Sequence, residues 1–445
     1  MYSYTQSDLL NDVLTSFSTH QDAPTADASG YEIMSAFINN IQDEITKSQQ
    51  TISKQRAWMS ATEFGAMGDG QSHPLSSIFS TLAEAQATYP DAVSLADELD
   101  YCALMKALKK QRDNGRRIFL PKQGSNYVTH KAMTVNFPID MFGENVRIHN
   151  TGNDDVLQII GTSSSRVGGS KIERIAFDGS PTTTPDKGLR LEYVDSAQLL
   201  NIGGAYTSLF YNHGSQPLLR DIGFWHSTGK GIYLGDIIDP HMLSLWILAS
   251  VSDGLYMENC SGLIASQILS LSCAGRGIYM EQNNASGQWN FISDSLSDTS
   301  GGDTWSIKNQ QGLDLSNCWG ASSQNAGTNG MTIDSSKYIT VNGGHIRNNK
   351  QHGILIKGTC QDIVLNTPKT LSNGGNGIAI QGTSSIAECS DITINAHSTR
   401  NTGYGISANA YVDGLIYGGN FRGNTAGGTS IDVGVTNKAT NAVLV

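Results

Sequence analysis

A short pattern recurs along this chain: a glycine, an apolar residue, a variable residue and a second apolar residue. The pattern begins at Gly231, Gly254, Gly277, Gly312, Gly330, Gly353, Gly377 and Gly405. By subtraction, successive glycines are 23, 23, 35, 18, 23, 24 and 28 residues apart. A nearly constant step of this size predicts a solenoid, in which similar coils stack along one axis.

Most repeats also contain a second run in which apolar and polar residues alternate, for example residues 339–342 and 363–366. Alternation of this kind predicts a strand with one buried face. Two strands and two turns in about 23 residues make one rung of a parallel β-helix, whose strands stack about 4.8 Å apart. The alternative solenoid, a leucine-rich repeat, requires a spacing of Leu and Asn that is absent here. We therefore predict an all-β parallel β-helix over residues 131–445.

The 35-residue step between Gly277 and Gly312 predicts an insertion of about 12 residues within residues 283–311. Long loops on a rigid scaffold often carry function. Trp289, Trp305 and Asp303 in this insertion are therefore candidate sugar-binding residues. Other aromatic candidates for the same role are Trp225 and Trp246.

Residues 61–130 have the features of a solenoid's N-terminal end. Residues 64–70 read FGAMGDG, and their glycines permit sharp turns. Residues 95–108 carry apolar side chains at helical spacing, with acidic residues at the start, where a helix dipole favours them. Residues 117–124 then read RIFLPKQG, and Tyr127 follows. An amphipathic helix at this place covers the open edge of the first coil.

Together these segments resemble the N-terminal end of the right-handed, single-stranded parallel β-helix in the pectate-lyase-like superfamily. They are most similar to the bacteriophage tailspikes that depolymerise capsular polysaccharides. The resemblance implies about 10 to 12 rungs, a capping helix, a homotrimer and a place in the virion tail. It also implies a polysaccharide ligand, either a capsule or an O-antigen.

Residues 1–60 differ from the rest of the chain. They contain two short apolar stripes at helical spacing, around residues 9–17 and 34–52, and the second is roughly heptad. One interpretation is a helix packed on its own body. The resemblance favours a helical neck that attaches the trimer to a phage tail, baseplate or adaptor protein.

Composition excludes several functions. The formal charge of -11 argues against a nucleic-acid partner and against an anionic membrane surface. The six cysteines have no metal-ligand spacing, so we expect them in the core. The N-terminus lacks a signal peptide, and no apolar run approaches the roughly 20 residues that span a bilayer. We expect synthesis in the host cytoplasm and release by lysis.

The outward position of the repeat carries the candidate site. It holds Tyr233, Tyr256 and Tyr279 in successive repeats, and parallel stacking predicts one aromatic column. Two residues further on are Glu258 and Glu281, which stacking places about 5 Å apart.

Two carboxylates about 5 to 5.5 Å apart are typical of a retaining glycosidase, and repulsion between them is expected to raise one pKa. Asp236 is a candidate second acid at the longer spacing of about 6.5 to 9.5 Å that inverting enzymes use. Arg276, beside the column, is a candidate for binding an acidic sugar or for pairing with Glu281. The non-functional interpretation is an aromatic ladder that stabilises the sheet.

The sequence thus favours a phage tailspike that cleaves its polysaccharide by glycoside hydrolysis. A polysaccharide lyase is the first alternative, with His226, His241 and Tyr279 as candidate bases. A non-catalytic receptor-binding spike or adhesin is the second. No EF-hand pattern, zinc-ligand set or Gly-x-Ser-x-Gly elbow is present in the sequence, so we expect no metal, no cofactor and no serine-hydrolase triad.

Overall fold

A computed structural model describes residues 58–124, 126–181, 187–284, 289–383 and 389–431. The chain consists of two compact units, residues 1–57 and residues 58–445. The predicted helical neck lies outside the described residues except for residues 58–60. These three form a strand that pairs with residues 117–119, so the solenoid begins slightly earlier than predicted.

Thirteen short strands stack in parallel to form one long side of the solenoid, called here the tyrosine face. Its strands are Met133–Val135, Leu157–Ile160, Leu189–Glu192, Leu209–Asn212, Ile232–Gly235, Leu255–Glu258, Ile278–Glu281, Trp305–Lys308, Met331–Asp334, Ile354–Lys357, Ile378–Gln381, Tyr404–Ala408 and Gly427–Ile431. They define a right-handed-type parallel β-solenoid of about twelve turns, which confirms the predicted fold class.

A sheet of nineteen strands, called here the wide sheet, forms the remaining sides. Its strands are Trp58–Ser60, Arg117–Leu120, Asn126–Thr129, Asp140–Asn150, Lys171–Asp178, Gln198–Ala205, Leu218–Trp225, His241–Leu248, Ile264–Leu271, Asn290–Ser293, Leu296–Asp298, Gln311–Ser316, Trp319–Ala321, Lys337–Asn342, His345–Arg347, Gln361–Leu371, Cys389–Thr399, Val412–Asp413 and Ile416–Asn420. A small parallel pair, Val167–Gly168 with Val194–Asp195, completes the strands of the described chain.

One repeat boundary differs from the prediction. Gly312 belongs to the wide sheet, and the strand that follows Ile278–Glu281 on the tyrosine face is Trp305–Lys308. The pairing of Ile278 with Trp305 and of Trp305 with Met331 gives steps of 27 and 26 residues by subtraction. The predicted insertion of about 12 residues is therefore wrong, because residues 290–298 and 305–311 belong to ordinary strands of the solenoid and their connections.

The glycine that starts most repeats is required by close packing. A Cβ added at Gly254 would lie 2.6 Å from the carbonyl oxygen of Gly277 in the next rung. In one rung Thr304 replaces the glycine, and the space for its side chain comes from a small residue on the wide sheet. There Gly320 stands in register with Ser297, and a Cβ at Gly320 would lie 2.6 Å from Thr304 Oγ1.

The helix predicted within residues 61–130 is present, but it begins at Leu99 rather than near Leu95. Two 3-10 helices, Ala61–Phe64 and Leu75–Ser77, precede the α-helices Leu82–Thr88 (α1) and Leu99–Asn114 (α2). Asp100 of α2 is 3% exposed, and its carboxylate accepts backbone N–H bonds from Met67 at 2.6 Å and Val128 at 2.8 Å. One buried acid thus ties the FGAMGDG loop and the first coil to the capping helix.

Stacked polar residues extend the core beyond its aliphatic rows. Asn349, Asn373, Asn401 and Asn424 form a ladder in which each side chain bonds to the next rung. All six cysteines are buried and free, in agreement with the core role predicted for them. None of the helices in the described ranges has the length and apolarity needed to cross a membrane.

Candidate functional site

The predicted tyrosine column is present on the tyrosine face. Tyr233, Tyr256 and Tyr279 occupy matching positions on three successive parallel strands. Ile232 and Leu234, on either side of the first tyrosine, are fully buried. The predicted alternation of inward aliphatic and outward aromatic residues is therefore confirmed for these rungs.

Phe210 extends the column by one rung, with its ring 4.8 Å from that of Tyr233 and nearly parallel to it. Tyr233 and Tyr256 then meet edge to face at 5.5 Å, and Tyr256 stacks on Tyr279 at 4.8 Å. The Lys230 ammonium lies over two of these rings, 4.7 Å from the centroid of Tyr233 and 3.8 Å from that of Tyr256. The column is thus a mixed aromatic and cationic surface.

Tyr279 is covered by the protein itself. The guanidinium carbon of Arg276 lies 3.3 Å from its ring centroid, while Tyr256 stacks on it from the neighbouring rung. Only 4% of Tyr279 is exposed, whereas Tyr233 and Tyr256 are half-buried. The prediction that Tyr279 offers a ring face to a sugar is therefore wrong.

The two glutamates stand opposite each other on adjacent strands. Each accepts a hydrogen bond from the tyrosine of the preceding rung, Glu258 from Tyr233 at 2.9 Å and Glu281 from Tyr256 at 3.1 Å. Because adjacent strands lie about 4.8 Å apart, the backbones of the pair have nearly the carboxyl spacing of retaining glycosidases, about 5 to 5.5 Å.

The environment of Glu281 favours its ionised form. Lys308 Nζ lies 2.6 Å from Glu281 Oε1. Burial acts to raise the pKa of Glu281, but hydrogen bonds from Lys308 and from two tyrosines outweigh that effect and lower it. Repulsion within the pair therefore does not raise the pKa of Glu281, and this residue is suited to act as a carboxylate rather than as a proton donor.

Arg276 pairs with Asp253 instead of Glu281. Its Nε donates to Asp253 Oδ1 at 3.0 Å, and Nη2 donates to Oδ2 at 2.8 Å. Burial alone lowers the pKa of Arg276, but the bonds to Asp253 reverse the effect and raise it. The suggested pairing with Glu281 is wrong, because Lys308 occupies that carboxylate.

Asp236 lies in the turn at the end of its strand and does not face the glutamates directly. Its carboxylate is 3.3 Å from His213 Nδ1 and accepts a 2.9 Å hydrogen bond from Asn259. The backbone N–H of Asn283 donates to Asn259 Oδ1 at 2.7 Å, and its side chain donates to Glu258 at 3.0 Å. Hydrogen bonds through Asn259 and Asn283 therefore link Asp236 to Glu258.

Trp305 is not a surface residue. It is fully buried, and its indole Nε1 donates to the carbonyl oxygen of Trp319 at 2.9 Å. The prediction that it binds sugar is wrong, because Trp305 occupies the first inward position of a rung that begins at Thr304. Trp289, by contrast, is 64% exposed and directly precedes a strand of the wide sheet.

Asp303 binds its own scaffold. It accepts the backbone N–H of Asn329 at 2.7 Å and the Thr332 hydroxyl at 2.6 Å. Burial raises the pKa of Asp303 although these bonds act against it. The residue fixes the start of the next rung, and its carboxylate oxygens are already occupied by protein donors.

Pockets lie at both ends of the strands on the tyrosine face. One of 340 Å³ lies at the C-terminal ends, where Arg166 holds Asp195 through two bonds of 2.6 and 2.8 Å and His213 stacks on Tyr193 at 4.6 Å. The other, of 290 Å³, lies at the N-terminal ends. Its lining residues are Lys187, Ser208, Phe210, Gly229, Lys230 and Tyr233.

Four residues of this face were not predicted from the sequence: Phe210, Lys230, His213 and Lys308. Two of these had a usable signal. Lys230 directly precedes a repeat glycine, and Phe210 follows Ser208, which replaces the glycine in its rung. The two histidines suggested as lyase bases, His226 and His241, belong to the wide sheet and its turn.

Across the described ranges, no cluster of His, Cys, Asp and Glu side chains is arranged to hold a metal ion. No protein-family model matches the chain, and no curated protein matches it. Several solved structures do share its fold.

The A-module of the mannuronan C-5 epimerase AlgE6 from Azotobacter vinelandii is 13% identical, with a TM-score of 0.53 over 86% of this chain and 100% of that one. Tailspike protein 3 of bacteriophage CBA120 is 12% identical, with a TM-score of 0.54 over 100% of this chain and 70% of that one. The Agl-KA catalytic domain is also 12% identical, with a TM-score of 0.51 over 85% and 68% of the two chains. At these identities the likeness establishes a common β-helical fold.

Proposed function

We propose that this chain is a bacteriophage tailspike that binds and depolymerises a bacterial surface polysaccharide, a capsule or an O-antigen, on its tyrosine face. One observation carries the proposal. Glu258 and Glu281 stand in register beside the half-buried rings of Tyr233 and Tyr256. Aromatic faces stack on the C–H faces of sugars, while paired carboxylates supply the acid and base of glycoside hydrolysis.

We propose different roles for the two acids from their contacts. Glu281, kept ionised by Lys308, attacks the anomeric carbon and forms a glycosyl–enzyme bond as the glycosidic C–O bond breaks. Glu258 gives a proton to the departing oxygen. Water then cleaves the glycosyl–enzyme bond, with Glu258 taking the water's proton and Glu281 leaving as a carboxylate. The neighbouring folds support the substrate class, since they include a tailspike and a mannuronan epimerase.

A polysaccharide lyase is the second candidate, and Lys230 is the observation that favours it. Burial lowers the pKa of Lys230, which makes its neutral amine more accessible as a base. Tyr279, suggested earlier as a base, is unsuited because burial and its bond to Glu281 raise its pKa. The third candidate is a spike that binds without cleaving.

One assay separates these three functions. The full chain is incubated with purified bacterial polysaccharides, and the products are tested for new reducing ends and for the ultraviolet absorbance of an unsaturated sugar. We expect reducing ends without absorbance. Both signals together would identify a lyase, and binding without either signal would identify an adhesin.

We also propose a homotrimer, located in the virion tail and attached to the tail, baseplate or an adaptor protein through residues 1–60. Large apolar side chains on the wide sheet support burial by a second copy. Trp246 is 60% exposed, and Ile264 and Phe291, at 52% and 47%, are paired across adjacent strands. The chain has a mass of 47.7 kDa, and light scattering should give three times this value. A Trp246→Lys variant should give a smaller mass, because the substitution places a charge on the apolar surface. A monomeric wild-type protein would contradict the trimer.

A further inference from the structure

The residues that precede the strands of the tyrosine face form a column in which four of five successive positions are charged. In successive rungs this position holds Lys187, Thr207, Lys230, Asp253 and Arg276. Both carboxylate oxygens of Asp253 are taken by the guanidinium of Arg276. The acid in the rung next to Lys230 is therefore already paired with another cation.

Lys230 rests against aromatic rings instead of an acid. Its ammonium lies 3.8 and 4.7 Å from the ring centroids of Tyr256 and Tyr233, and it forms no ion pair with any residue that the structure describes. Burial lowers its pKa, even though Asp253 and Glu258 act to raise it. A partly desolvated cation of this kind gains most from an incoming anion, since the anion offsets the cost of burying its charge.

The pocket beside Lys230 has room for such an anion. It measures 290 Å³ and has no acidic residue in its lining, although the whole chain carries a formal charge of -11. Lys187 borders the opposite side, with its ammonium 5.3 Å from the ring centroid of Phe210. Between the two lysines, Phe210 and Tyr233 stack nearly in parallel. The pocket therefore combines two cations with the edges of two stacked aromatic rings.

We propose that this pocket, called here the lysine pocket, binds the anionic substituent of an acidic sugar, a carboxylate or a phosphate, while the sugar ring lies against the outer edges of Phe210 and Tyr233. Lysine binds either group as a compact point charge. The inference rests on the proposed function and narrows its substrate to polysaccharides with a charged repeat unit.

The place of the lysine pocket also orients the chain of sugars. Lys230 lies five residues before Gly235, the residue that pairs with Glu258, a distance of about 16 Å along an extended chain. Its ammonium nevertheless reaches over the rings of Tyr233 and Tyr256, whose hydroxyls bond to the two glutamates, so the acidic sugar lies next to the bond to be cleaved. Lys230 is a specificity residue in this arrangement and takes no part in bond cleavage.

The test uses the full chain and an array of purified capsular and O-antigen polysaccharides with carboxylate-bearing, phosphate-bearing and neutral repeats. Binding is measured for the wild type and for Lys230→Met, Lys230→Arg and Lys337→Met. Lys337→Met is the matched control, because it removes the same charge from an exposed position on the wide sheet. Chemical reduction of the carboxylates of a bound polymer to alcohols provides a matched neutral ligand.

We expect the wild type to bind only charged polymers, and the carboxylate and phosphate arms then identify the group. Lys230→Met should weaken this binding about tenfold to hundredfold, the range for a hydrogen bond to a charged group. Lys230→Arg should retain most affinity, and Lys337→Met should match the wild type. Equal binding of charged and neutral polymers, or full affinity in Lys230→Met, would overturn this inference alone. Binding of no polymer would overturn the proposed function itself.

Discussion

The hydroxyl of Tyr256 donates a 3.1 Å hydrogen bond to Glu281, the carboxylate of the next rung. This contact joins the aromatic column to the candidate acids, and it repeats one rung earlier between Tyr233 and Glu258. The tyrosines therefore have two functions in the proposed site, since their rings bind sugar while their hydroxyls hold the carboxylates.

We predict that Tyr256→Phe lowers the cleavage rate about tenfold, because it removes one bond that stabilises ionised Glu281 while keeping the ring. The measurement is the rate of reducing-end release at saturating polysaccharide, together with the binding affinity. Affinity should change little. Tyr338→Phe, at a 45% exposed position on the wide sheet, is the control. An unchanged rate in Tyr256→Phe would argue against a catalytic role for this contact.

The asparagine ladder should stabilise the C-terminal half of the solenoid. Asn373 is 1% exposed, accepts a 3.0 Å bond from Asn349 and donates a 2.9 Å bond to Asn401. Asn373→Ala removes both of these bonds and the one that its Oδ1 accepts from the backbone N–H of Asn349, so the free energy of unfolding should fall by about 2 to 4 kcal/mol. Chemical denaturation measures this change.

Asn366→Ala is the matched control for the ladder. Its side chain donates a 3.1 Å bond to Asn342, but at the solvent-exposed surface, so the loss should stay within about 0.5 kcal/mol. Equal effects of the two substitutions would show that burial does not set the strength of the asparagine ladder.

The effects on stability of substitutions at Thr304 and Gly320 should depend on each other. Gly320→Ser alone places a side chain against Thr304 Oγ1 and should cost about 1 to 3 kcal/mol of stability by overpacking. Adding Thr304→Gly recreates the arrangement of the preceding rung, where Gly277 faces Ser297, and should recover most of the loss. If the losses of stability from the two substitutions simply added, the proposed compensation between Thr304 and Gly320 would be contradicted.

The pair of Thr304 and Gly320 explains why one rung was predicted wrongly from the sequence. The repeat glycine predicted strand positions and register correctly for most rungs, since the backbone of the next rung excludes a side chain there. The pattern could not identify the rung in which Thr304 takes that position, because the compensating Gly320 is distant in sequence. The glycine pattern therefore indicated Gly312, which belongs to the wide sheet, and it predicted a loop position for Trp305, which lies in the core.

Side-chain pairing was the second limit on prediction. Period-two alternation placed Tyr279 and Glu281 on the outer surface, and their register is as predicted. Alternation carries no information on which neighbours cover them. Arg276 lies over Tyr279 because Asp253, one rung earlier, holds its guanidinium. Such contacts depend on rotamers and on charges in adjacent rungs, which a single repeat does not reveal.

The pH dependence of stability should depend in part on His352. This residue is 8% exposed, and burial lowers its pKa from 6.5. Because the unfolded chain then binds a proton more readily, stability is lost as pH falls through 6.5 toward the lower pKa of the folded state. We predict that His352→Gln loses less stability than the wild type between about pH 7 and pH 5. The exposed His241→Gln variant should behave as the wild type, and parallel pH profiles for all three would contradict this assignment.

Cleavage by variants of the two glutamates tests the central claim most directly. Reducing-end release from a polysaccharide that the wild type degrades is measured for Glu258→Gln, Glu281→Gln and the exposed control Glu144→Gln, with binding measured alongside. We predict that each of the first two lowers the rate by at least about a hundredfold while the polymer still binds, and that the control cleaves normally. Full cleavage by both Glu258→Gln and Glu281→Gln would contradict the proposed site.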